Sequence, residues 1–425
     1  MLSPKLCLLL GLVVLSGGCG GGGGGSSDPG DSSDPVFDVS GPDNGGNGES
    51  DGEEAAATSF VEFRVTTFNT GLLRYFVPLA EERVAPVAAA VRSEAADVLC
   101  LQEVWEERDR REVLDALSDS YPFVYVEPAR QRFADRSPVC TPAEVAPLLE
   151  CFSNACLFTD DGFVECMSGN CYGELEELAE RQPQCAQAIF AQTGRSAFDF
   201  ISVQDELFSE GGRAGLFAFD GSNGLILASK HPFARTMLVD FFDISTTSRR
   251  SALLAEVRVD GTGQHVACTH LTSNLDGELP YTGTFGSWKE EARAQGARLR
   301  EAMASFANGR PEFLAGDFNC SIAQGSTGVA SDAEATCSDF LAAGYRDAAM
   351  EQLGCSYCAS NPLVQGSAAS LGGRDLLLDH VFTRGLSAPV QSVERAFGTT
   401  IVLQGQQTPL SDHYGIALAA PIPVP

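Results

Sequence analysis

Glu312-Phe313-Leu314-Ala315-Gly316-Asp317-Phe318-Asn319 reads as a buried strand that closes on a glycine and then presents an acid and an amide. Side chains alternate along a strand, so Asp317 and Asn319 point to the same side at its exit. A carboxylate in that position can orient or deprotonate water, and an amide can donate to a phosphoryl oxygen. Asp and Asn are also ordinary turn residues, so the octapeptide gains its meaning from what surrounds it.

Outward from this stretch the same pattern recurs. Phe60 to Asn69 alternates as a strand and exits on Asn69. Asp97 to Val104 is an apolar run that ends in Gln102-Glu103. Between them Glu81 to Glu94 reads as a helix, expected to begin near Pro86 because proline suits a first turn. Trp105 to Leu117 reads as a second helix and Tyr121 to Val126 as a strand. Further strands are expected at Ala214–Phe219, Gly224–Ser229, Ser251–Val259 and His265–Thr269, the last running into His270. Trp288 to Phe306 is an amphipathic helix. Asp375 to Thr383 carries Asp379-His380, and Tyr414 to Ala419 follows Ser411-Asp412-His413. Interleaved strands and helices predict an α/β (α+β) fold.

Composition bounds the function. The formal net charge of −29 opposes general attraction to nucleic-acid backbones or anionic membranes, although a local basic groove stays compatible with it. Met1 to Cys19 reads as a targeting segment with Lys5 before an apolar run, too short to span a bilayer permanently. Ser16-Gly17-Gly18-Cys19 resembles a bacterial lipobox, with Ser16 where leucine is usual, so Cys19 is expected to be acylated and the protein to be an exported, membrane-anchored lipoprotein. An ordinary cleaved secretory signal is the alternative. Residues 20–57 are a Gly- and Asp-rich linker, too poor in apolar surface to offset its ordering entropy. Residues 58–425 are the expected catalytic domain.

Fourteen cysteines agree with export. Six lie between Cys140 and Cys185 and four are Cys320, Cys337, Cys355 and Cys358. These read as disulfides, and residues 137–212 as a disulfide-stapled insertion, either structural or a substrate-selecting wall. Zinc is the rival reading, but Cys355-x-x-Cys358 lacks a second such pair and neither cluster holds a histidine. Cys100 and Cys268, inside apolar runs, are expected to be buried thiols.

Polar groups therefore recur at strand ends: Asn69, Gln102-Glu103, His270, Asp317, Asn319, Asp379-His380 and Asp412-His413. Strand ends in layered folds are where loops gather groups into one cleft. The mix holds carboxylates, amides and imidazoles, without a Ser nucleophile elbow or a Cys beside a base. Oxygen donors such as Glu103 and Asp412 suit Mg²⁺, Mn²⁺ or Ca²⁺ better than zinc.

The ordered set Thr67-Phe68-Asn69, Leu101-Gln102-Glu103, Thr269-His270-Leu271, Gly316-Asp317-Phe318-Asn319, Leu378-Asp379-His380 and Ser411-Asp412-His413 resembles the endonuclease/exonuclease/phosphatase superfamily. The resemblance runs from about Phe60 to Ala420. It implies a four-layered α/β/β/α sandwich of two packed mixed sheets, and divalent-metal-dependent hydrolysis of a phosphoester by in-line water. It further implies Glu103, Asn69 and Asp412 as metal-holding residues and Asp317 as the group that activates water. Asn319 and His270 would contact the phosphate, and Asp379 would orient His413, which stabilises charge or protonates the leaving group. A structural role is expected for His380 and His231, exposure for His265, and solvated positions for Arg249, Arg250 and Lys289. Gly224 to Pro232 with Thr269-His270-Leu271 is similar to the sphingomyelinase-like branch, so a sphingomyelinase or phospholipase C type of phosphodiesterase is favoured. Tyr75, Phe76, Tyr281, Phe285 and Trp288 are candidates for an apolar approach to the site. An extracellular nuclease and a non-catalytic binding protein are the other readings.

Overall fold

The computed structural model describes residues 59–156, 159–364 and 373–425. The targeting segment and linker read from the sequence lie outside these residues, as do Cys7 and Cys19. Its strands are β1 (Ser59–Asn69), β2 (Val98–Gln102), β3 (Phe123–Tyr125), β4 (Ile226–Ser229), β5 (Phe233–Asp240), β6 (Ser251–Val259), β7 (Thr262–His270), β8 (Glu312–Asp317), β9 (Arg346–Asp347), β10 (Asp379–Arg384), β11 (Ser392–Ala396), β12 (Thr400–Leu403), β13 (Gln406–Pro409) and β14 (Gly415–Val424). Helices α1 (Ala80–Ser93) and α2 (Glu107–Leu117) follow β1 and β2. Five more, α3 (Pro142–Ala155), α4 (Phe163–Asn170), α5 (Tyr172–Arg181), α6 (Pro183–Phe190) and α7 (Phe200–Phe208), occupy the Cys-rich stretch. The last three are α8 (Trp288–Ala307), α9 (Glu334–Ala342) and α10 (Ala348–Gln352).

Two six-stranded sheets, ordered β11-β14-β1-β2-β4-β3 and β5-β6-β7-β8-β10-β9, pack face to face. Each is mixed, because each contains one parallel pair, β1/β2 in the first and β7/β8 in the second, among antiparallel neighbours. Strand alternation sorts the side chains. Phe63, Val65, Val98, Cys100, Val266, Cys268, Phe313 and Ala315 point between the sheets, and Phe63 meets Phe313 edge-on at 5.3 Å. Their alternates point outward: Phe68, Leu99 and Leu101 to α1 and α2, and Ala267 and Leu314 to α8 and α9. The result is the four-layered sandwich expected from the sequence, with one apolar layer between the sheets and one under each helical face.

Several expectations are corrected. Cys100 and Cys268 are not thiols but a disulfide that joins β2 to β7 across the inter-sheet core. Both face that core, which is why each looked like an ordinary apolar strand residue. Helix α1 starts at Ala80, six residues before Pro86, with the proline inside it. The reason is Arg83, whose buried guanidinium donates to the carbonyls of Thr70 and Leu410 at 3.0 and 2.8 Å and also to Gly71. That helical turn ties the loop after β1 to the segment before β14, a tertiary demand that outweighs the proline preference. Residues 214–219 form no strand, only an isolated bridge between Gly215 and Phe133. Strands β5, β9, β11, β12 and β13 went unread.

The ten remaining cysteines of the described residues pair as Cys140–Cys185, Cys151–Cys171, Cys156–Cys166, Cys320–Cys337 and Cys355–Cys358. The sulfurs that approach His380 and Asp375 are thus bonded to each other and do not ligate a metal. The first three disulfides staple α3 to α6 around their own apolar cluster, in which Phe152 packs on Phe163 at 5.1 Å. Thr141 caps α3: its hydroxyl accepts from the Glu144 amide while the Glu144 carboxylate accepts from the Thr141 amide. No helix of the described residues is long and apolar enough to cross a membrane.

Candidate active site

The inward-facing columns of both parallel pairs end in polar residues at the same edge of the sandwich. Along β1 the column Phe63, Val65, Thr67 reaches Asn69, and along β8 Phe313, Ala315 reaches Asp317. His270 closes β7 directly beside Asp317, just as Asn69 lies beside Gln102. The inter-sheet core is therefore apolar along its length and polar at one end. Glu103 departs from the alternation. Its φ of 61° places it in the left-handed region, which costs a residue with a Cβ about 1 kcal/mol or more, and the turn brings it into line with Asn69. Asn319, with φ 48°, turns in the same way after β8.

Hydrogen bonds stitch the two sheets together here. The Asn69 amide donates to Glu103 Oε1 at 3.0 Å and to Asp317 Oδ2 at 2.9 Å, while its carbonyl accepts from the Gly71 amide. Asp317 Oδ1 accepts from the Asn319 backbone at 2.8 Å, and the Asn319 side chain donates to the Leu271 carbonyl. His270 Nε2 lies 3.5 Å from Asp317 Oδ2, and its Nδ1 is buried without a partner. Opposite, His413 Nδ1 lies 2.7 Å from Asp379 Oδ2. Asp379 opens β10 with the same inward parity as Val381, whereas His380 points outward, stacks on Phe382 at 4.9 Å and pairs with Asp347 at 2.6 Å. Alternation alone thus separates the residue at the site from its structural neighbour. Asp412 fits because position 71 is glycine: a Cβ there would sit 2.2 Å from Asp412 Oδ1, and φ is +57°.

These groups line one cavity of about 580 Å³, together with Phe76, Trp105, Phe219, Arg250 and Tyr357. Every site residue read from the sequence meets there. Asn69 and Asp379 stand behind the lining, and the other six face the space. His231 does not; it pairs with Asp97 at 2.8 Å on the far side of β2. His265 is 1% exposed, not solvated, and sits edge-on to Phe306.

Arg250 is the residue the sequence reading misplaced. It is buried at the start of the β6 chain, its Nη1 has no hydrogen-bond partner, and its guanidinium lies 5.3 Å over the Trp105 ring. Arg-Arg-Ser before an apolar strand looks like a solvated turn; only the packing of β6 beside β7 draws Arg250 into the cavity. Arg249 is buried too, on Asp240 at 3.0 Å, and Lys289 pairs with Asp332 at 3.6 Å. Of the aromatics, Phe76 lines the cavity, Tyr75 packs on Gly162, and Trp288 is buried with its indole donating to Leu279.

Charge at the site is unbalanced. Removal from water, then the neighbouring Asp412, pushes the Glu103 carboxyl up to about 7. Burial, then Asp379, pushes Asp317 up to about 6. The two imidazoles part company. Burial lowers both, but contact with Asp379 holds His413 well above the usual histidine range, whereas Arg250 adds to burial and keeps His270 well below it. Glu103 and Asp412, with the amide oxygen of Asn69, offer hard oxygen donors, and the raised carboxyl of Glu103 beside Asp412 is a condition that a hard divalent ion relieves.

A model of the endonuclease/exonuclease/phosphatase family matches residues 66–413. The chain belongs to this family. It is accordingly a metal-dependent hydrolase acting on phosphoester bonds. Among solved structures it is similar to sphingomyelinase C from Streptomyces griseocarneus, 19% identical over 85% of this chain and 99% of that one, TM-score 0.47. A beta toxin from Staphylococcus aureus with bound magnesium ions is 12% identical over 84% and 99%, TM-score 0.45. A humanized D. rerio TDP2 is 14% identical over 84% and 98%, TM-score 0.45. Among curated proteins none matches.

Proposed function

We propose that this enzyme hydrolyses a phosphodiester by in-line attack of water, with Glu103, Asn69 and Asp412 holding a Mg²⁺ ion. The supporting observation is the convergence of acids, amides, one charged imidazole and one unpaired arginine from both sheets on a single cavity. Held by these residues, a divalent ion would supply positive charge to the phosphoryl oxygens. Asp317, fixed by Asn69 and the Asn319 amide, takes the proton of the attacking water. His270, left with a free ring nitrogen, and Arg250, left with a free Nη1, bind the non-bridging oxygens with Asn319. His413 donates Nδ1–H to Asp379, which leaves Nε2–H for the departing oxygen.

The favoured substrate is a headgroup phosphodiester of the sphingomyelinase or phospholipase C type. Asp161, Glu165 and Asn170 of the Cys-rich stretch line the same cavity, so a compact headgroup meets the insertion as well as the strand ends. A nuclease is the second reading; a groove of about 920 Å³ adjoins the recess at Trp105 and Phe219 and carries Arg110, Arg195 and Arg213. Export and a lipid anchor at Cys19 complete the proposal, and six disulfides suit the oxidising compartment it requires. The test is turnover of sphingomyelin, phosphatidylcholine, DNA and RNA by the purified chain in Mg²⁺ and then in EDTA. EDTA-sensitive release of a phosphorylated headgroup is the expected result. Selective cleavage of nucleic acid replaces the lipid reading with the nuclease one.

A further inference from the structure

We infer that the Cys-rich stretch is a charge filter: Asp161 and Glu165, which line the same cavity as the catalytic groups, select a phosphoester whose attached group is cationic, an amine or quaternary ammonium. The inference rests on the phosphodiesterase reading above and adds to it the residues that choose the substrate.

One recess gathers two sets of groups. Arg250, His270 and His413 line it with the oxygen donors. Asp161, Glu165, Ser168 and Asn170, from α4 and the turn before it, line it too. Neither acid forms an ion pair among the described residues. Glu165 Oε2 accepts only the Gly162 amide, at 3.4 Å, and burial raises its carboxyl above the usual range. Phe76, also in the lining, supplies an apolar and π-rich surface beside them. A phosphodiester with a positive group at one end meets complementary charge at both. A polyanionic strand that enters the recess meets two carboxylates without a cationic partner among the described residues.

The wall is built to hold that position. Cys166 is itself a lining residue, bonded to Cys156, and Cys171 at the end of α4 is bonded to Cys151. The two bridges fix the middle and the C-terminal end of α4 to α3 and its C-cap, and Phe152 packs on Phe163. Fixed carboxylates give selectivity that mobile surface acids do not, since less ordering is required on binding.

The experiment compares p-nitrophenyl phosphorylcholine with neutral-tailed bis(p-nitrophenyl) phosphate, using the full chain in Mg²⁺. The readout is the ratio of kcat/KM for the cationic over the neutral-tailed substrate. Glu165→Gln keeps the capping oxygen, and the exposed Asp161 has no side-chain partner whose loss would unfold the chain. The ratio is expected to fall on the order of tenfold for each acid neutralised, further in Asp161→Lys, and to shrink as salt rises from about 0.05 to 0.5 M. A ratio unchanged in both single variants overturns the charge filter while the phosphodiesterase reading stands. Wild-type protein with no EDTA-sensitive turnover of either substrate overturns both.

Discussion

The two parallel strand pairs offer a natural comparison. β1/β2 and β7/β8 sit in opposite sheets, run parallel in the same way, and end at the same cavity. The first pair delivers Asn69 and Glu103, the second His270 and Asp317. Glu103 accepts from Asn69 and lies in the field of Asp412, whereas Asp317 is held by Asn69, the Asn319 amide and His270. In the function proposed above, one end holds the cation and the other holds water and phosphate. Asn69, bonded to both acids, is the bridge. A single edge of a two-sheet sandwich can divide the labour because each sheet contributes its own parallel pair.

The division predicts different failures on the two sides. Asp317→Asn should lower kcat by about 10²–10⁴-fold at any metal concentration, with the fold intact by circular dichroism. Glu103→Gln should instead weaken metal binding by more than the ~10–100-fold that loss of an outer partner costs, and excess metal should recover part of the rate. Recovery of Asp317→Asn by metal, or none of Glu103→Gln, would reverse the assignment of the two ends. Next in size comes Asp379→Asn, expected to reduce kcat about 100-fold and to add little in a His413→Ala background, because the acid acts through the imidazole. Full additivity in the double variant would show that Asp379 acts on its own, consistent with its closeness to Asp317.

The same comparison shows what was legible beforehand. Strand-end motifs could be read because alternation forces polar residues into the open end of an apolar column, and that pattern survives in sequence as Asp317-x-Asn319 or Gln102-Glu103. What could not be read depends on contacts between distant segments. Arg250 and Arg83 are both charged residues buried by neighbours far along the chain, and neither carries a local signal that separates it from a solvated arginine. Cys100 and Cys268 are 168 residues apart, and only sheet packing brings them together. The wall at Asp161 and Glu165 was visible as a Cys-rich insertion, but its placement over the cavity depends on the packing of α3 to α6.

The inter-sheet disulfide tests whether the two pairs are held together by covalent linkage or by packing. Replacing Cys100 and Cys268 with alanine should cost about 3–5 kcal/mol of unfolding free energy in denaturant, the range for a long closed loop. Activity at moderate temperature should change less than twofold, roughly the scatter expected when Asn69 still bridges Glu103 and Asp317. A collapse of kcat with modest loss of stability would mean that the disulfide, and not the Asn69 bridge, sets the spacing of the two ends.

The smallest effect concerns the unbalanced charge itself. Without metal, Glu103 and Asp317 ionise near 7 and 6 in the folded chain, against about 4.3 and 3.9 when unfolded. The folded state therefore holds protons that the unfolded state releases. Stability from these two groups is fully present below about pH 4 and is lost as pH rises through 6 to 7. A divalent cation binds the ionised form, so its stabilisation follows the opposite course and grows over the same window. The Tm gain from saturating Mg²⁺ should be larger at pH 8 than at pH 5, by a few degrees for a domain of this size. Glu103→Gln should remove most of that pH dependence, and Asp317→Asn less of it. An equal gain at both pH values would mean that the cation is held elsewhere than at the β1/β2 end.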